Sequence, residues 1–154
     1  MNYPWYYNGF PLLEEDREKL IEEGVIGFVY LITESDTKKK YIGKKLWLSR
    51  RKLPPLKGQK RRRTKIIETD WRTYYGSSDL VNKLVEEKGQ ENFHREILYF
   101  CYNKSELSYL ETKEQFMRDV LLSDDYYNGI VNCRIGGRGL ERLKQTEPKD
   151  NKTA

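Results

Sequence analysis

The feature that most restricts the fold is a pair of short apolar runs separated by a polar turn, between residues 25 and 45. The first run, VIGFVYLIT (25–33), is rich in β-branched and aromatic residues. The second, KKYIGKK (39–45), carries a glycine that would break a helix. Because the intervening ESDT has turn chemistry, the stretch predicts an antiparallel β-hairpin. A chain of 154 residues can bury such a hairpin in the core of one domain.

The remaining segments predict helices and one further strand. Helical patterns with plausible caps and stops cover 11–23, 46–53, 79–88 and 105–122, and a strand pattern covers 92–102. This order predicts an α+β fold in which helices flank a small three-stranded antiparallel sheet.

This interpretation divides the chain into three regions. We expect an N-terminal helical extension (1–24), a main domain (25–140) that contains an extended basic insertion (52–70), and a disordered polar tail (141–154). No apolar run approaches the ~20 residues of a membrane span, and the N-terminus does not resemble a secretory signal. Cys101 and Cys133 match no zinc spacing, so we expect reduced thiols in an intracellular, cytoplasmic protein.

The charge is distributed unevenly along the chain. Between Lys38 and Lys65 there are 14 Lys or Arg residues and no Asp or Glu, whereas the rest of the chain holds 15 basic and 24 acidic residues. A basic block on an otherwise acidic protein indicates a site for a polyanion such as nucleic acid.

The hairpin also carries a tyrosine in each run. Gly27-Phe28-Val29-Tyr30 and Tyr41-Ile42-Gly43 resemble the two half-motifs of the GIY-YIG nuclease family. The second half is intact, whereas the first keeps its tyrosine and departs in the residues before it. The run from Tyr75 to Leu98 resembles the middle of phage and intron-encoded members, and the likeness extends over about residues 25 to 135.

The resemblance implies roles for individual residues. It implies catalytic roles for Tyr30 and Tyr41, and for Arg51, which family members carry on the first helix about ten residues after the second tyrosine. A further helix would supply a glutamate, and Asn128 matches a family asparagine that follows a tyrosine. The Asn-Gly pair at 128–129 could instead form a type I′ turn, and Asn128 could simply support the last strand.

Hydrolysis of a phosphodiester needs an activated water and positive charge at the phosphate. One carboxylate can hold Mg²⁺ or Mn²⁺ for this purpose. We expect Glu111, at the edge of the apolar helix face, to hold the ion, with Glu114 as the alternative. Nearby cations, Lys44 and Arg51 among them, would lower the pKa of the two phenols.

The many other cations exceed what one phosphate needs, so we expect them to contact the backbone of double-stranded DNA. These nucleic-acid-binding residues are Lys44, Lys45, Arg50, Lys60, Arg61, Arg62, Arg63 and Lys65.

The sequence therefore predicts a divalent-metal-dependent DNA endonuclease. The alternatives are a non-catalytic nucleic-acid-binding module of the same fold and a basic structural protein that binds RNA. Because few residues follow Leu140, target recognition would come from the insertion, a partner or a homodimer.

Overall fold

The computed structural model describes residues 3–132 and 134–146. Seven strands and four helices follow one another within these described residues. The strands are β1 (Tyr6–Tyr7), β2 (Phe10–Pro11), β3 (Gly27–Glu34), β4 (Lys40–Leu46), β5 (Leu48–Leu53), β6 (Arg63–Glu68) and β7 (Phe93–Cys101). The helices are α1 (Glu14–Glu22), α2 (Asp79–Lys88), α3 (Lys104–Met117) and α4 (Glu141–Thr146), and a 3₁₀ turn at Gln90–Asn92 precedes β7.

The main sheet has five strands in the order β2-β1-β7-β3-β4. The predicted hairpin forms β3 and β4, and the predicted third strand is β7, which pairs with β3 in antiparallel fashion. The sheet is larger than predicted, because β1 adds in parallel to the far side of β7 and β2 folds back on β1. The N-terminal segment thus contributes sheet as well as the expected helix.

A second, two-stranded sheet forms where the sequence predicted a helix and an extended insertion. Residues 46–53, predicted to form a helix, lie mostly in β5, and β6 forms within the predicted basic insertion. The two strands pair over six positions in a separate antiparallel sheet, from Leu48 opposite Glu68 to Leu53 opposite Arg63. We call residues 48–68 the basic ribbon.

The main sheet carries a core on each face. Phe28, Tyr30 and Ile32 point to one face, where they pack with the N-terminal Trp5 and with Trp71. Val29, Leu31 and Ile42 alternate onto the other face, which α3 covers with side chains that include Leu107 and Leu110. The alternating apolar strand therefore forms the centre of a three-layer arrangement.

The helix caps explain where two helices begin. The Ser78 hydroxyl accepts a hydrogen bond from the Val81 amide and caps the start of α2, and Gly89 (φ +91°) follows the last residue of this helix. Helix α3 begins after Asn103, whose side chain accepts from the Glu106 amide, and it ends at Met117 rather than Leu122. Helix α4 occupies the start of the predicted tail, and residues 147–154, like Cys133, lie outside the described residues. No helix among those described is long and apolar enough to cross a membrane.

Candidate nuclease site

The hairpin register brings the two tyrosines together. Tyr30 lies opposite Gly43 and Tyr41 lies opposite Ile32, so both phenols project from the same face of the sheet. Their ring centroids are 6.3 Å apart. A register shift between β3 and β7 occurs next to Tyr30, at Val29/Tyr30, and such bulges re-aim side chains beside functional sites.

Gly43 makes room for the first phenol. A Cβ at this position would lie 2.2 Å from the Tyr30 hydroxyl and 2.4 Å from Cζ of the same ring. Gly76, at φ +94°, lies against both tyrosines, because a Cβ there would be 3.0 Å from Cε1 of Tyr41 and 3.4 Å from the Tyr30 hydroxyl. Two glycines from distant parts of the chain therefore shape one tyrosine pair.

Tyr30 is buried to 1% exposure, and its ring lies edge-on to that of Tyr74 with the centroids 6.0 Å apart. Burial raises the pKa of Tyr30 well above its ordinary value of 10, and the neighbouring Tyr74 and Tyr41 raise it further. The expectation that cations lower this pKa is therefore wrong for Tyr30. Its phenol stays protonated at neutral pH and can act as a hydrogen-bonding group but not as a base.

Tyr41 is more accessible and lines a cleft of about 370 Å³. Its hydroxyl forms a 3.0 Å hydrogen bond with that of Ser77, which comes from the loop before α2. The opposite wall includes Glu111 and Gln115, one turn apart on α3, together with Asn128. The cleft therefore joins β4, the loop 71–78 and α3, which are far apart in the sequence.

Glu111 is the carboxylate that the structure places in the cleft with Tyr41. Burial raises its pKa above the ordinary value of 4.5, and Lys44, whose Nζ lies 3.8 Å from Oε1, opposes this shift. Lys44 is held there by a 3.0 Å hydrogen bond to the Ser108 hydroxyl. A carboxylate, a cation and a phenol thus lie around one opening.

The alternative, Glu114, has a different environment. Its Oε1 accepts a 2.6 Å hydrogen bond from the Tyr99 hydroxyl, and its Oε2 accepts a 2.8 Å hydrogen bond from Arg118. Burial raises the pKa of Glu114, but these two hydrogen bonds and the charges of Arg118 and Lys113 together outweigh it, so the net shift is downward. Both carboxylate oxygens of Glu114 are therefore occupied by protein donors.

The sequence around this cleft matches a known protein family. The chain matches, over residues 5–131, the family model described as "Putative endonuclease segE, GIY-YIG domain". The chain belongs to this GIY-YIG nuclease family. No curated protein and no solved structure matches it. Proteins of this family are nucleases that act on DNA and generally use a divalent metal.

In the first GIY-YIG half-motif Phe28 stands where the motif has its glycine, and Gly27 comes one position earlier. A Cβ at Gly27 would lie 2.3 Å from the backbone oxygen of Lys45, so this position also requires glycine. Phe28 and Val29, which replace the residues before the motif tyrosine, are fully buried on opposite faces of the sheet. Both side chains therefore pack into the cores on either side of the strand that carries Tyr30.

The donor set of the cleft fits a small, hard divalent cation. Among the described residues, no group of three or more His, Cys, Asp and Glu side chains converges, which argues against a zinc-like cage. Glu111 offers one carboxylate, and the buried Oε1 of Gln115 has no hydrogen-bond partner among the described atoms. The Gln115 amide is oriented by its Nε2, which donates to the Ile42 carbonyl. Mg²⁺ is suited to one or two protein oxygens with water as the other ligands.

Asn128 acts on the free edge of β4. Its Oδ1 accepts from the Ile42 amide at 3.0 Å, and its Nδ2 donates to the Ile42 carbonyl at 2.8 Å. The side chain thus completes the hydrogen bonding of an edge strand as a neighbouring strand would. Neither Asn128 nor Gly129 has a positive φ, so the alternative of a type I′ turn is wrong.

Arg51 lies on the basic ribbon and not on a helix, so the helical placement that the resemblance implied is wrong. It is exposed, and no described contact joins it to Tyr41 or Glu111. Of the other predicted nucleic-acid-binding cations, only Lys44 and Lys45 lie on β4. Lys45 bonds Asp70 at 2.6 Å and lies 3.8 Å from the centroid of the Tyr74 ring. The remaining six, Arg50, Lys60, Arg61, Arg62, Arg63 and Lys65, belong to the ribbon.

Sequence reasoning missed the supporting residues of the loop 71–78. The Tyr74 ring lies 6.0 Å from that of Tyr30, and the Ser77 hydroxyl bonds that of Tyr41. Arg95 was also missed. It lies between the rings of Trp5 and Tyr75 and donates to the carbonyls of Arg72 and Tyr74, which fixes this loop against β7. The one available signal was a buried-strand pattern that contained an arginine.

Proposed function

We propose that the protein is a divalent-metal-dependent endonuclease that hydrolyses phosphodiester bonds of double-stranded DNA. The observation that supports this most is the cleft in which Tyr41, Glu111 and Gln115 meet. A packing role alone would not explain a partly buried carboxylate that is paired only loosely with a cation and faces a phenol.

Each group has a distinct task in this mechanism. Glu111 would hold Mg²⁺ or Mn²⁺, which supplies positive charge for the phosphate and makes a nearby water more acidic. The Tyr41 oxygen, hydrogen-bonded to Ser77, orients that water and, in its deprotonated form, would accept the proton that the water loses and become the neutral phenol. Tyr30 is a positioning residue, because its protonated phenol fixes the Tyr74 loop beside Tyr41. Lys44 is the cation next to the carboxylate and can stabilise charge on the phosphate.

The resemblance implied catalytic roles for Arg51 and Asn128, and the contacts of the two residues differ. The catalytic role of Arg51 stays a prediction, since a ribbon residue could reach the phosphate only once DNA is bound. Asn128 supports the cleft wall through Ile42, so we propose a positioning role for it. An intracellular location and a homodimer also stay predictions, and sedimentation of the protein with and without DNA would measure the second.

The exposed position of Arg51 favours one alternative, a module of the same fold that binds DNA without cutting it. Cleavage of supercoiled plasmid in Mg²⁺, Mn²⁺, Ca²⁺ or chelator decides between the two functions. We expect nicked or linear product in Mg²⁺ or Mn²⁺ and none with chelator. If the protein binds DNA but cuts no supercoiled, linear or branched duplex in any metal, the binding module is the correct function.

Tyr41→Phe and Glu111→Gln test the site itself. Each should lower the cleavage rate by at least about 100-fold, the scale of a lost acid–base or charge-stabilising group, while DNA affinity stays within about twofold. Tyr7→Phe, on the exposed part of β1, is the matched control and should cut normally. Titration of Mn²⁺ should show weakened binding in Glu111→Gln. If Glu114→Gln loses Mn²⁺ binding and Glu111→Gln does not, the metal assignment is wrong.

A further inference from the structure

The basic ribbon is a structural element that the nuclease site does not use. It holds nine cations between residues 50 and 65 and no acidic residue between Leu48 and Ile67. None of these nine forms a salt bridge with a described residue, whereas Glu68 at the ribbon base is bonded to Trp71 and Arg72. The charge of the ribbon is therefore left uncompensated within the described protein.

The register of the ribbon increases this repulsion. Arg51 lies directly opposite Lys65, and like charges at opposed positions of an antiparallel pair destabilise it. Arg63, opposite Leu53, extends from the same face as Arg51 and Lys65 because side chains alternate along each strand. An arrangement that costs free energy in the isolated protein becomes favourable when a polyanion lies along this face.

The two faces of the ribbon differ in their surroundings. The face that carries Leu48, Arg50 and Ile66 borders a groove of about 800 Å³ next to the main domain, which Trp47 and Tyr102 also line. Arg51, Arg63 and Lys65 are exposed and do not line this groove. We call the face with Arg51, Arg63 and Lys65 the outer face.

The ribbon is attached firmly to the strand that carries Tyr41. It starts two residues after β4 ends, and the fully buried Trp47 is the link between them. The Thr69 amide donates to the Trp47 carbonyl at 3.0 Å, and the Thr69 hydroxyl donates to the Leu46 carbonyl at 2.6 Å. Both ends of the ribbon are thus tied together at its base, so a nucleic acid held by the ribbon is positioned relative to the cleft.

We propose that the basic ribbon enters the major groove of duplex DNA with its outer face toward the bases. The major groove, about 12 Å wide, admits a two-stranded β-ribbon, whereas the minor groove is about 6 Å wide. Six residues per strand extend about 20 Å, or about six base pairs at 3.4 Å each. Arginine is the side chain best suited to guanine edges in that groove. This proposal rests on duplex DNA being the substrate, and it adds the groove and the face that make the contact.

Binding measurements in chelator, in which we expect no cutting, separate this proposal from the nuclease activity. The probes are a fluorescent 20-base-pair DNA duplex, checked by gel to remain intact, and an RNA duplex of the same sequence. The DNA should be bound more tightly by at least about tenfold, because the major groove of A-form RNA is too deep and narrow to admit protein elements. Methyl green, which occupies the major groove, should compete, whereas the minor-groove ligand netropsin should not.

Three matched double variants locate the contact. The outer-face variant R63Q/K65Q should lower DNA affinity by at least about tenfold and flatten the slope of log K against log salt by about 1.8, the value for two phosphate-equivalent charges. The inner-face variant R50Q/K52Q should lose less affinity and keep competition by methyl green. The control K83Q/K144Q, on exposed lysines of α2 and α4, should stay within about twofold of the wild type.

These measurements distinguish a failure of the ribbon proposal from a failure of the proposed nuclease function. Equal losses in the outer-face and inner-face variants, binding of duplex RNA as tight as of DNA, or competition by netropsin alone would each overturn insertion into the major groove. Binding that follows our expectation without any metal-dependent cutting would uphold the ribbon and refute the nuclease function. Cutting that is unchanged in R63Q/K65Q, together with unchanged affinity, would do the reverse.

Discussion

Gly43 shows how one residue of the YIG half-motif serves the tyrosine of the other half. Its Cα faces the Tyr30 ring so closely that any side chain would overlap the phenol. Gly43→Ala should therefore lower the free energy of unfolding by about 1–3 kcal/mol, the usual cost of overpacking a core. Denaturant unfolding would measure this change. Gly136→Ala is the control, since nothing lies within 4 Å of its added Cβ, and a loss as large in the control would refute the packing argument.

Two of the glutamates of α3, Glu111 and Glu114, should respond oppositely to removal of their charge. The pKa of Glu111 is raised in the folded protein, so its ionised form costs stability above pH 4.5, and the full cost is present above the folded pKa. Glu111→Gln should raise the melting temperature at pH 7, by about 2–4 °C for each kcal/mol recovered, and the gain should vanish at acidic pH where both states are protonated. Calorimetry across pH 3 to 7 measures this, without added metal. A lower melting temperature for Glu111→Gln at pH 7 would show that the ion pair with Lys44 outweighs burial.

Glu114 provides the opposite case on the same helix. Its pKa is lowered in the folded protein, so its carboxylate contributes stability that is present above pH 4.5 and is lost as the pH falls through the folded pKa. Glu114→Gln should lower the melting temperature at pH 7, and the difference from the wild type should shrink below pH 4.5. A loss that is independent of pH would mean that the hydrogen bonds of Tyr99 and Arg118 do not depend on the charge.

Among the structural elements, β7 carries the residue that connects the most parts of the fold. Arg95 donates to the carbonyls of Arg72 and Tyr74 at 3.0 and 2.9 Å and also to that of Tyr3. Burial lowers its pKa to about 10, yet the side chain stays charged at neutral pH. Arg95→Lys keeps the charge but cannot reach three carbonyls in a planar fork. The substitution should lower the free energy of unfolding by about 2–4 kcal/mol. It should also loosen the loop 71–78, so that amide hydrogen exchange rises more in this loop than in α2. Exchange that rises equally in both segments would contradict a local role.

Elements with strong local patterns could be predicted from the sequence, and the ribbon could not. The hairpin, α2 and β7 each show alternation or caps within a few residues, which is why their predicted and observed bounds agree closely. Residues 46–53 contain good helix formers, and their strand conformation depends on a partner that begins ten residues later. That partner, β6, is basic and lacks a clear alternating pattern. The two-residue strands β1 and β2 are too short to leave any signal.

For the whole molecule, the candidate site depends on contacts between distant parts of the chain. The tyrosine pair could be predicted because a short hairpin fixes it, and Glu111 followed from its place at the edge of a helix face. Ser77 and Gln115 could not be assigned, because their roles depend on how the loop 71–78 and α3 pack around β4. Lys44 was expected to contact DNA, and only the packing of α3 shows that it also pairs with Glu111.

The N-terminal segment tests whether the site depends on the whole fold. Trp5 is 2% exposed, and its ring lies against Phe28 and Tyr30 with centroid distances of 4.8 and 5.3 Å. Its indole donates to the Trp71 carbonyl at 2.7 Å. Trp5→Ala should therefore cost about 3–5 kcal/mol, measured by denaturant unfolding. Cleavage, measured where the variant remains folded, should also fall because Tyr30 loses one wall of its pocket. Phe10→Ala, in the same segment but 74% exposed, should change both quantities little. If Trp5→Ala lowers stability and leaves the cleavage rate of the folded protein unchanged, Trp5 serves the core alone, and the position of Tyr30 is set by Gly43 and Gly76.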